Sequence, residues 1–462
     1  MTSGAELKDG SSRSPRLLPL TIALSLLLWI IATTGGRQIF VKEVLGEAYD
    51  SQAEHFLRGD PGVDLGAIRH EAMIVNGQTR MYFGPFPAFL RMPLNFIYPG
   101  GRGYWSRISG FCAGVIALAA FAGLVSMALR SSPLSPRWRN WVGNASLIGF
   151  VFGSPLLLLL GSLAIYHEAI VWGLAWSLAA LYFACRSRKA EGTALTRSLL
   201  GFSFCAAGAL LSRVTFGAPL LLIAPLLSLR FLRRDQIRNL AALLLPLGTA
   251  LIFHLFLSYA KFGSFLGTSY EHYINPTHRE FVLKHGIFGL ERVPYSFADY
   301  FFLRRPEFQH GPPFLKAQHF RSYNHPSFFS NPFTETYSSL LWSSSWITLG
   351  AMVGVVLLLR PKTSDGLDRA IAAILFTQAI GIMSFHALAQ RYLAEFYPFL
   401  VFCFVILLRS GGTTLFRMRY AFIGLVALSV VINSLATASW LEEDRNLPIE
   451  THNFWTLGQK KK

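Results

Sequence analysis

Residues 198–229 read SLLGFSFCAAGALLSRVTFGAPLLLIAPLLSL, an apolar stretch carrying one charge, Arg213, near its middle. Arg186, Arg188, Lys189 and Arg197 precede it, and Arg230, Arg233, Arg234 and Arg238 follow. A helix crosses a bilayer with about 20 apolar residues, and short loops rich in Lys and Arg stay on the cytoplasmic side. Two basic clusters therefore put both ends of the stretch on one side, and the chain between them is a hairpin of two helices. Its outer tip is Ser212-Arg213-Val214-Thr215-Phe216-Gly217. An Arg at mid-bilayer costs about 2.5–3.5 kcal/mol even on lenient scales. Arg213 is thus expected to face a cavity or a partner, such as a lipid phosphate at the outer leaflet, or else to snorkel to the interface.

The same alternation extends along all 462 residues. Apolar residues make up 52% of the chain and charged ones 15%, against about 25% charged in soluble proteins, which excludes a soluble enzyme. Spans are expected at 17–34, 107–129, 141–162, 168–185, 198–212, 215–229, 239–260, 338–359, 370–389, 392–408 and 420–440. The fold class is therefore an all-α polytopic transmembrane helical bundle of about eleven spans, N-terminus inside and C-terminus outside. A cleaved signal peptide competes for 17–34, but no A-x-A-like site follows, which favours an anchor.

Charge agrees with that topology. Segments 1–16, 130–140, 186–197, 230–238, 360–369 and 409–419 hold 20 Lys/Arg and six acids, and the rest of the chain holds 22 and 19. The net charge of +17 thus reports cytoplasmic loops and not a nucleic-acid partner. Residues 86–98 are apolar but contain Arg91, Pro87 and Pro93. Spanning there would put Arg130, Arg137 and Arg139 on the wrong side, so the stretch is assigned to the outer interface or a re-entrant segment.

Cys112, Cys185, Cys205 and Cys403 fall within or at the ends of spans and form no disulfide or metal pattern. No metal site is expected, because His55, His70, His272 and His310 lack paired spacing; whether a divalent metal assists stays open. His254 and His386 read as packed core histidines. No phosphate-cradling Gly-Lys loop is present, which weighs against an ATP-driven pump.

The chain divides into one integral membrane domain, 1–462, with a first outer loop at 35–106, a large second one at 261–337 and a short outer tail at 441–462. Outer loops on a rigid scaffold are where chemistry is usually placed. The first opens acidic, with Glu43, Glu47, Asp50, Glu54, Asp60, Asp64 and Glu71. Glu47, Asp50 and Glu54 share one face of a helix and Tyr49, Ala53, Phe56 and Leu57 another, ended by Gly59 and Pro61. Such a helix lies on the membrane with its acids toward water or a cleft. Either the acids solubilise it, or like charges a turn apart leave one carboxylate suited to act as a general base. The stretch Met81-Tyr82-Phe83-Gly84-Pro85-Phe86-Pro87-Ala88 then turns the chain, since its prolines cannot continue a helix.

Tyr49-Asp50, Ala53-Glu54 and Leu57-Arg58-Gly59, followed by that Tyr-Phe-Gly-Pro-x-Pro-Ala stretch, resemble the first outer loop of polytopic glycosyltransferases of the GT-C fold. The bacterial aminoarabinose transferases and the protein O-mannosyltransferases belong to this superfamily. Lys261-Phe262-Gly263-Ser264-Phe265 with Gly267-Thr268-Ser269-Tyr270 resembles an Arg-Phe-Gly-Ser segment of bacterial members. Arg391-Tyr392-Leu393-Ala394-Glu395-Phe396-Tyr397-Pro398 resembles the Arg-Tyr-Leu-x-x-x-Tyr-Pro opening of a late helix.

The resemblance implies a GT-C-like bundle with large outer loops, in the cytoplasmic membrane, with its active site facing the periplasm or exterior. It implies inverting transfer of a sugar from a polyprenyl-phosphate donor to a glycan, lipid or protein acceptor. Asp50 is the first choice for the base and Glu47 the second, with Tyr49, Glu54, Arg80, Tyr82, Arg91, His167, Glu168, Arg213, Arg391 and Tyr392 as substrate-binding candidates. Relatives commonly carry the loop carboxylate where this chain has Leu45 and Gly46, and a lysine where it has Gly84 or Pro85, leaving Arg80 and Arg91 as substitutes. For Arg391, pairing with Glu395 is a further structural reading. A lipid or sugar-lipid transporter, or a non-catalytic envelope-assembly protein, are the alternatives; the near absence of charge at mid-span disfavours the transporter.

Overall fold

A computed structural model describes residues 15–229, 237–265, 267, 270–316, 329, 338–443, 451 and 454–455. The expected basic leader before residue 15, the basic cluster at 230–236, Thr268 and Ser269, most of 317–337 and most of the tail lie outside the described residues.

The chain opens with α1 (Leu18–Ala32) and enters the first outer loop through α2 (Glu47–Leu57) and α3 (Leu65–Ile68). A two-stranded hairpin follows, β1 (Met73–Val75) with β2 (Gln78–Arg80), and then α4 (Phe86–Ile97). Next come α5 (Ser106–Arg130), α6 (Pro136–Phe152), α7 (Leu156–Gly161), α8 (Ile165–Ser187), α9 (Gly192–Ser212), α10 (Val214–Ser228) and α11 (Ile237–Phe262). The second outer loop carries α12 (Pro276–His285) and α13 (Val293–Ala298), and the remainder is α14 (Leu340–Ser343), α15 (Ser345–Leu358), α16 (Gly366–Met383), α17 (Tyr397–Ser410), α18 (Gly412–Arg417) and α19 (Arg419–Glu443).

Each of the eleven expected spans contains a helix, and the protein is a multi-pass helical bundle. Seven helices are long and apolar enough to cross a membrane by length and composition: α5, α8, α9, α11, α16, α17 with the turn before it, and α19. Shorter apolar helices α1, α10 and α15 add to them.

Two expected spans are interrupted. Residues 141–162 break at Gly153-Ser154-Pro155, where proline removes a helical donor. The Gly153 carbonyl at the break instead accepts from the Trp346 indole N–H at 3.0 Å, and Trp346 is fully buried. Residues 338–359 break at Ser344, and there Asn433 donates to the carbonyls of Ser343 and, at 3.0 Å, of Ser429. Buried breaks persist only when the freed backbone groups find such partners.

At one end of the bundle Arg188 bridges Asp365 and Asp368, and Arg409 meets Asp368 at 2.6 Å. At the other end the first loop builds its own small core. Leu45, Ala48, Tyr49, Ala53, Val63, Ile68, Met81, Phe83 and Ala88 are buried together against Ile165, the first residue of α8.

Candidate active site

The first loop is positioned by three local features. Asn76-Gly77 takes the left-handed conformation at both residues, φ 51° and 74°, the two-residue turn that matches strand twist. It closes β1 on β2 with Met73 opposite Arg80. Met73 also pairs with Tyr273 of the second outer loop, and the Ile274 N–H donates to the Ala72 carbonyl at 3.0 Å. The two outer loops are thereby joined by backbone bonds.

Gly84 supplies the second feature. A side chain there would collide with the carbonyl oxygens of Leu211 and Ser212, at the end of α9. The Tyr-Phe-Gly-Pro turn thus lies backbone against backbone on the outer tip of the hairpin that carries Arg213. Lys261 at the end of α11 is buried beside it and donates to the Met81 carbonyl at 3.1 Å.

The third feature is the burial of α2. It forms over Glu47–Leu57, but its acids do not share one environment. Asp50, Ser51 and Gln52 are fully buried, as are Ala48 and Tyr49, while Leu57 of the expected apolar face is 71% exposed. The acidic face, expected toward water or a cleft, divides: Asp50 is covered by α4 and α8 through Arg91 and Glu168, while Glu47 and Glu54 stay partly exposed. Glu47 stays half-buried and pairs with Lys42 at 3.4 Å, and Glu54 pairs with Arg102 at 3.0 Å.

Asp50 belongs to a buried ionic row. Its carboxylate lies 3.7 Å from the Arg91 Nε, and Arg91 donates to Glu168 at 2.6 Å. Arg91 and Glu168 are likewise wholly buried. The Asp50 carboxyl is pushed up to about 6 by burial, against the pull of Arg91. Asn95 and the Gly103 backbone N–H also face the Asp50 carboxyl and oppose the rise, while the Tyr49 phenol has no hydrogen-bond partner among the described residues. Burial holds the Tyr49 phenol far above its ordinary range, with Glu168 adding to the effect and Arg91 and Arg213 opposing it. Tyr49 therefore sits in the field of both the ionic row and the hairpin tip.

A second group surrounds Glu71, whose carboxylate accepts from three phenols that are far apart in sequence. Tyr82 donates at 2.7 Å, Tyr273 at 2.8 Å, and Tyr166 closes the set. Burial, and then the Glu71 charge, push the Tyr82 phenol well up. Arg391 lies over the Tyr166 ring at 4.9 Å and the Tyr392 ring at 5.1 Å, while Arg213 lies 5.5 Å from the same Tyr392 ring. Both arginines therefore converge on one tyrosine beside the Glu71 cluster.

The partner of Arg213 is Glu395, which also accepts from Thr215 at 2.7 Å and Gln378 at 3.2 Å. Of the readings the sequence left open for Arg391, pairing with Glu395 gives way to the pairing of Glu395 with Arg213. Residues 390–396 form a tight 3-10 turn that sends Glu395 toward the hairpin and leaves Arg391 against aromatic faces.

The candidates thus fall into two neighbouring groups and a remainder. Asp50, Arg91 and Glu168, with Tyr49 beside them, form one; Tyr82, Arg213, Arg391 and Tyr392 form the other. Glu47 and Glu54 take separate surface pairs, and Arg80 binds Asp60 at 2.9 Å. His167 is buried and its Nδ1 meets the Ser162 carbonyl, with its ring 5.6 Å from Trp440. His386 is not within a helical span but in the turn after α16, buried against Phe385 and, across the second loop, Tyr270 and Phe281. His254 is half-buried on α11. Among the described residues no three His, Cys, Asp or Glu side chains gather as a metal site would require.

The sequence passed over Glu71 as a binding residue. Its three donors lie 11, 95 and 202 residues away, so no local spacing marks the cluster; the only signal was the Asn-Gly turn that predicts a hairpin beside it.

The sequence matches no protein-family model and no curated protein. Among solved structures it is similar to ArnT from Cupriavidus metallidurans bound to undecaprenyl phosphate, with TM-score 0.48 and 12% identity over 96% of this chain and 76% of that one. It is also similar to ArnT from Cupriavidus metallidurans in the apo state, with TM-score 0.35 and 12% identity over 95% of this chain and 84% of that one. Likenesses at these values carry no weight for activity or for individual residues.

Proposed function

We propose that the protein is a membrane glycosyltransferase that moves a sugar from a polyprenyl-phosphate carrier to an acceptor hydroxyl, with inversion, at the outer face of the cytoplasmic membrane. The N-terminus and the basic loops then lie inside, and the two large loops outside. The observation that carries this reading is the contact of the Gly84 turn with Leu211 and Ser212. It joins the acid-bearing first loop to the arginine tip, where a lipid-borne phosphate at the outer leaflet would arrive.

In this reading the acceptor O–H gives its proton to Asp50, and the new O–C1 bond forms as the C1–O bond to phosphate breaks. The polyprenyl phosphate departs with the electron pair. A carboxylate raised to about 6 by burial is close enough to neutrality to accept that proton. Arg213 and Arg391 meet the negative charge that grows on the leaving phosphate. Arg213 releases Glu395 in part to do so, and Glu395 keeps Thr215 and Gln378 as donors. Glu71 holds Tyr82, Tyr166 and Tyr273, whose rings form a face on which a sugar stacks. Glu47 remains the second choice for the base, from a more exposed position.

The test is transfer of a labelled sugar from synthetic polyprenyl-phosphate donors by the purified protein, comparing wild type with Asp50→Asn and Glu47→Gln. Loss with Asp50→Asn alone supports the assignment; transfer that survives both changes removes the base from the first loop.

A further inference from the structure

We propose that the cavity between residues 34–42, Tyr104 and Phe454 binds the headgroup of an anionic phospholipid of the surrounding leaflet. None of Asp50, Glu47, Arg213 or Arg391 lines the cavity, and its one link to them is the pairing of Lys42 with Glu47.

The cavity encloses about 1060 Å³, the size of a typical small-molecule pocket. Arg37 and Lys42 stand on it, and among the described residues no acidic side chain lines it. Lys42 has Glu47 at 3.4 Å and the Tyr104 ring at 5.6 Å, and it remains largely exposed; Arg37 is exposed as well. The floor is polar and built. Arg107, 1% exposed, donates to Glu43 at 2.7 Å, to the Gln38 carbonyl at 3.1 Å and to Thr451 at 2.7 Å. Thr451 in turn donates to the Gln38 side chain at 2.8 Å. The node fixes Gln38 and sets the Glu43-paired Arg107 guanidinium next to the Arg37 and Lys42 mouth.

Its surroundings place this cavity at a lipid boundary. α1 ends at Ala32, two residues before the first lining residue. Phe40 on the wall meets Tyr98 at 5.9 Å and Trp105 at 5.6 Å. Next to Tyr98, Phe96 and Ile97 at the end of α4 are 88% and 77% exposed. Aromatic rings at the end of a span, with bare apolar side chains beside them, are the pattern of the headgroup level. A cationic mouth there attracts a phosphate that is tethered to acyl chains in the adjoining bilayer.

The experiment uses the full chain reconstituted in nanodiscs of equal parts phosphatidylcholine and phosphatidylglycerol, with the lipids retained after extraction counted by native mass spectrometry. Wild type should keep phosphatidylglycerol in preference. Arg37→Ala with Lys42→Ala should cut that preference about tenfold or more, from the usual attraction per basic residue. Arg37→Lys with Lys42→Arg should keep it, which separates loss of charge from loss of fold, and Arg58→Ala, a basic change elsewhere on the first loop, should leave it intact. An unchanged preference in the double Ala variant overturns the proposal, as does equal retention of both lipids. Displacement by inorganic phosphate would make this a free-anion site, and preferential displacement by polyprenyl phosphate would assign it to the donor; either result also overturns it.

Discussion

Arg213 donates to Glu395 across 182 residues of sequence, and the Glu395 side chain is wholly buried. Removing one member of such a pair leaves the other charge stranded, at a cost of about 3–5 kcal/mol. Glu395→Ala should therefore lower stability in detergent by that order, while the double change Arg213→Leu with Glu395→Leu should recover most of the loss. A single variant within about 1 kcal/mol of wild type in thermal unfolding would show that the pair is incidental to the fold.

Asp50 makes stability and activity depend on pH in opposite directions. Its folded value of about 6 lies above the unfolded 3.8, so the native state binds the extra proton between those limits. Stability is then highest below pH 4 with respect to this group and is lost as pH rises through about 6, by about 3 kcal/mol in all. Asp50→Asn should flatten that slope in denaturation curves taken across the window. Transfer activity should instead rise with pH and level off above about 6, since the base acts in its ionised form. A wild-type profile falling over that range would exclude Asp50 as the base.

The spans were legible because period and charge are local. About 20 apolar residues between basic loops specify a helix wherever the chain is placed, and the Arg213 hairpin follows from two basic clusters alone. The extent of α2 was equally plain from Gly59 and Pro61. What α2 faces was not, since the same face suits water, lipid or a covering loop, and only the packing of Arg91 and Asn95 on α4 and Glu168 on α8 around the helix decides for burial of Asp50. The pairing of Arg213 with Glu395 and the gathering of tyrosines on Glu71 depend on contacts between distant segments, for which one sequence holds no spacing rule. The breaks at Gly153-Pro155 and Ser344 were missed because long apolar runs flank them on both sides, although Gly153-Ser154-Pro155 and Ser343-Ser344-Ser345 are themselves small, polar or helix-breaking.

Glu71 organises three phenols, and each hydrogen bond to an ionised group is worth about 1.5–3 kcal/mol. Tyr273→Phe should loosen the second outer loop from the first, seen as faster hydrogen exchange around Ala72 and Ile274, with the α5–α10 region unaffected. Glu71→Gln, which keeps an acceptor oxygen, should weaken sugar binding more than stability. Exchange rates at Ile274 that do not change in Tyr273→Phe would show that the backbone bonds alone join the loops.

Gly84→Ala places a methyl group against the Leu211 and Ser212 carbonyls, which belong to a rigid helix end. Overpacking of this kind costs about 1–3 kcal/mol. The turn should lift from the hairpin tip, lowering the rate of transfer more than overall stability. Gly77→Ala, at a left-handed turn residue facing open space, should cost stability through strain and leave the contact at Leu211 in place. Equal activity in Gly84→Ala and wild type would separate the hairpin contact from function.

The most direct measurement is single-turnover transfer from a labelled polyprenyl-phosphate sugar by purified wild type, Asp50→Asn and Arg213→Gln, with donor binding measured in parallel. The account expects Asp50→Asn to bind donor normally and to slow transfer by about 10²–10⁴-fold, and Arg213→Gln to weaken donor binding and transfer together. Donor bound equally well by all three proteins, with transfer undiminished in Asp50→Asn, would contradict it.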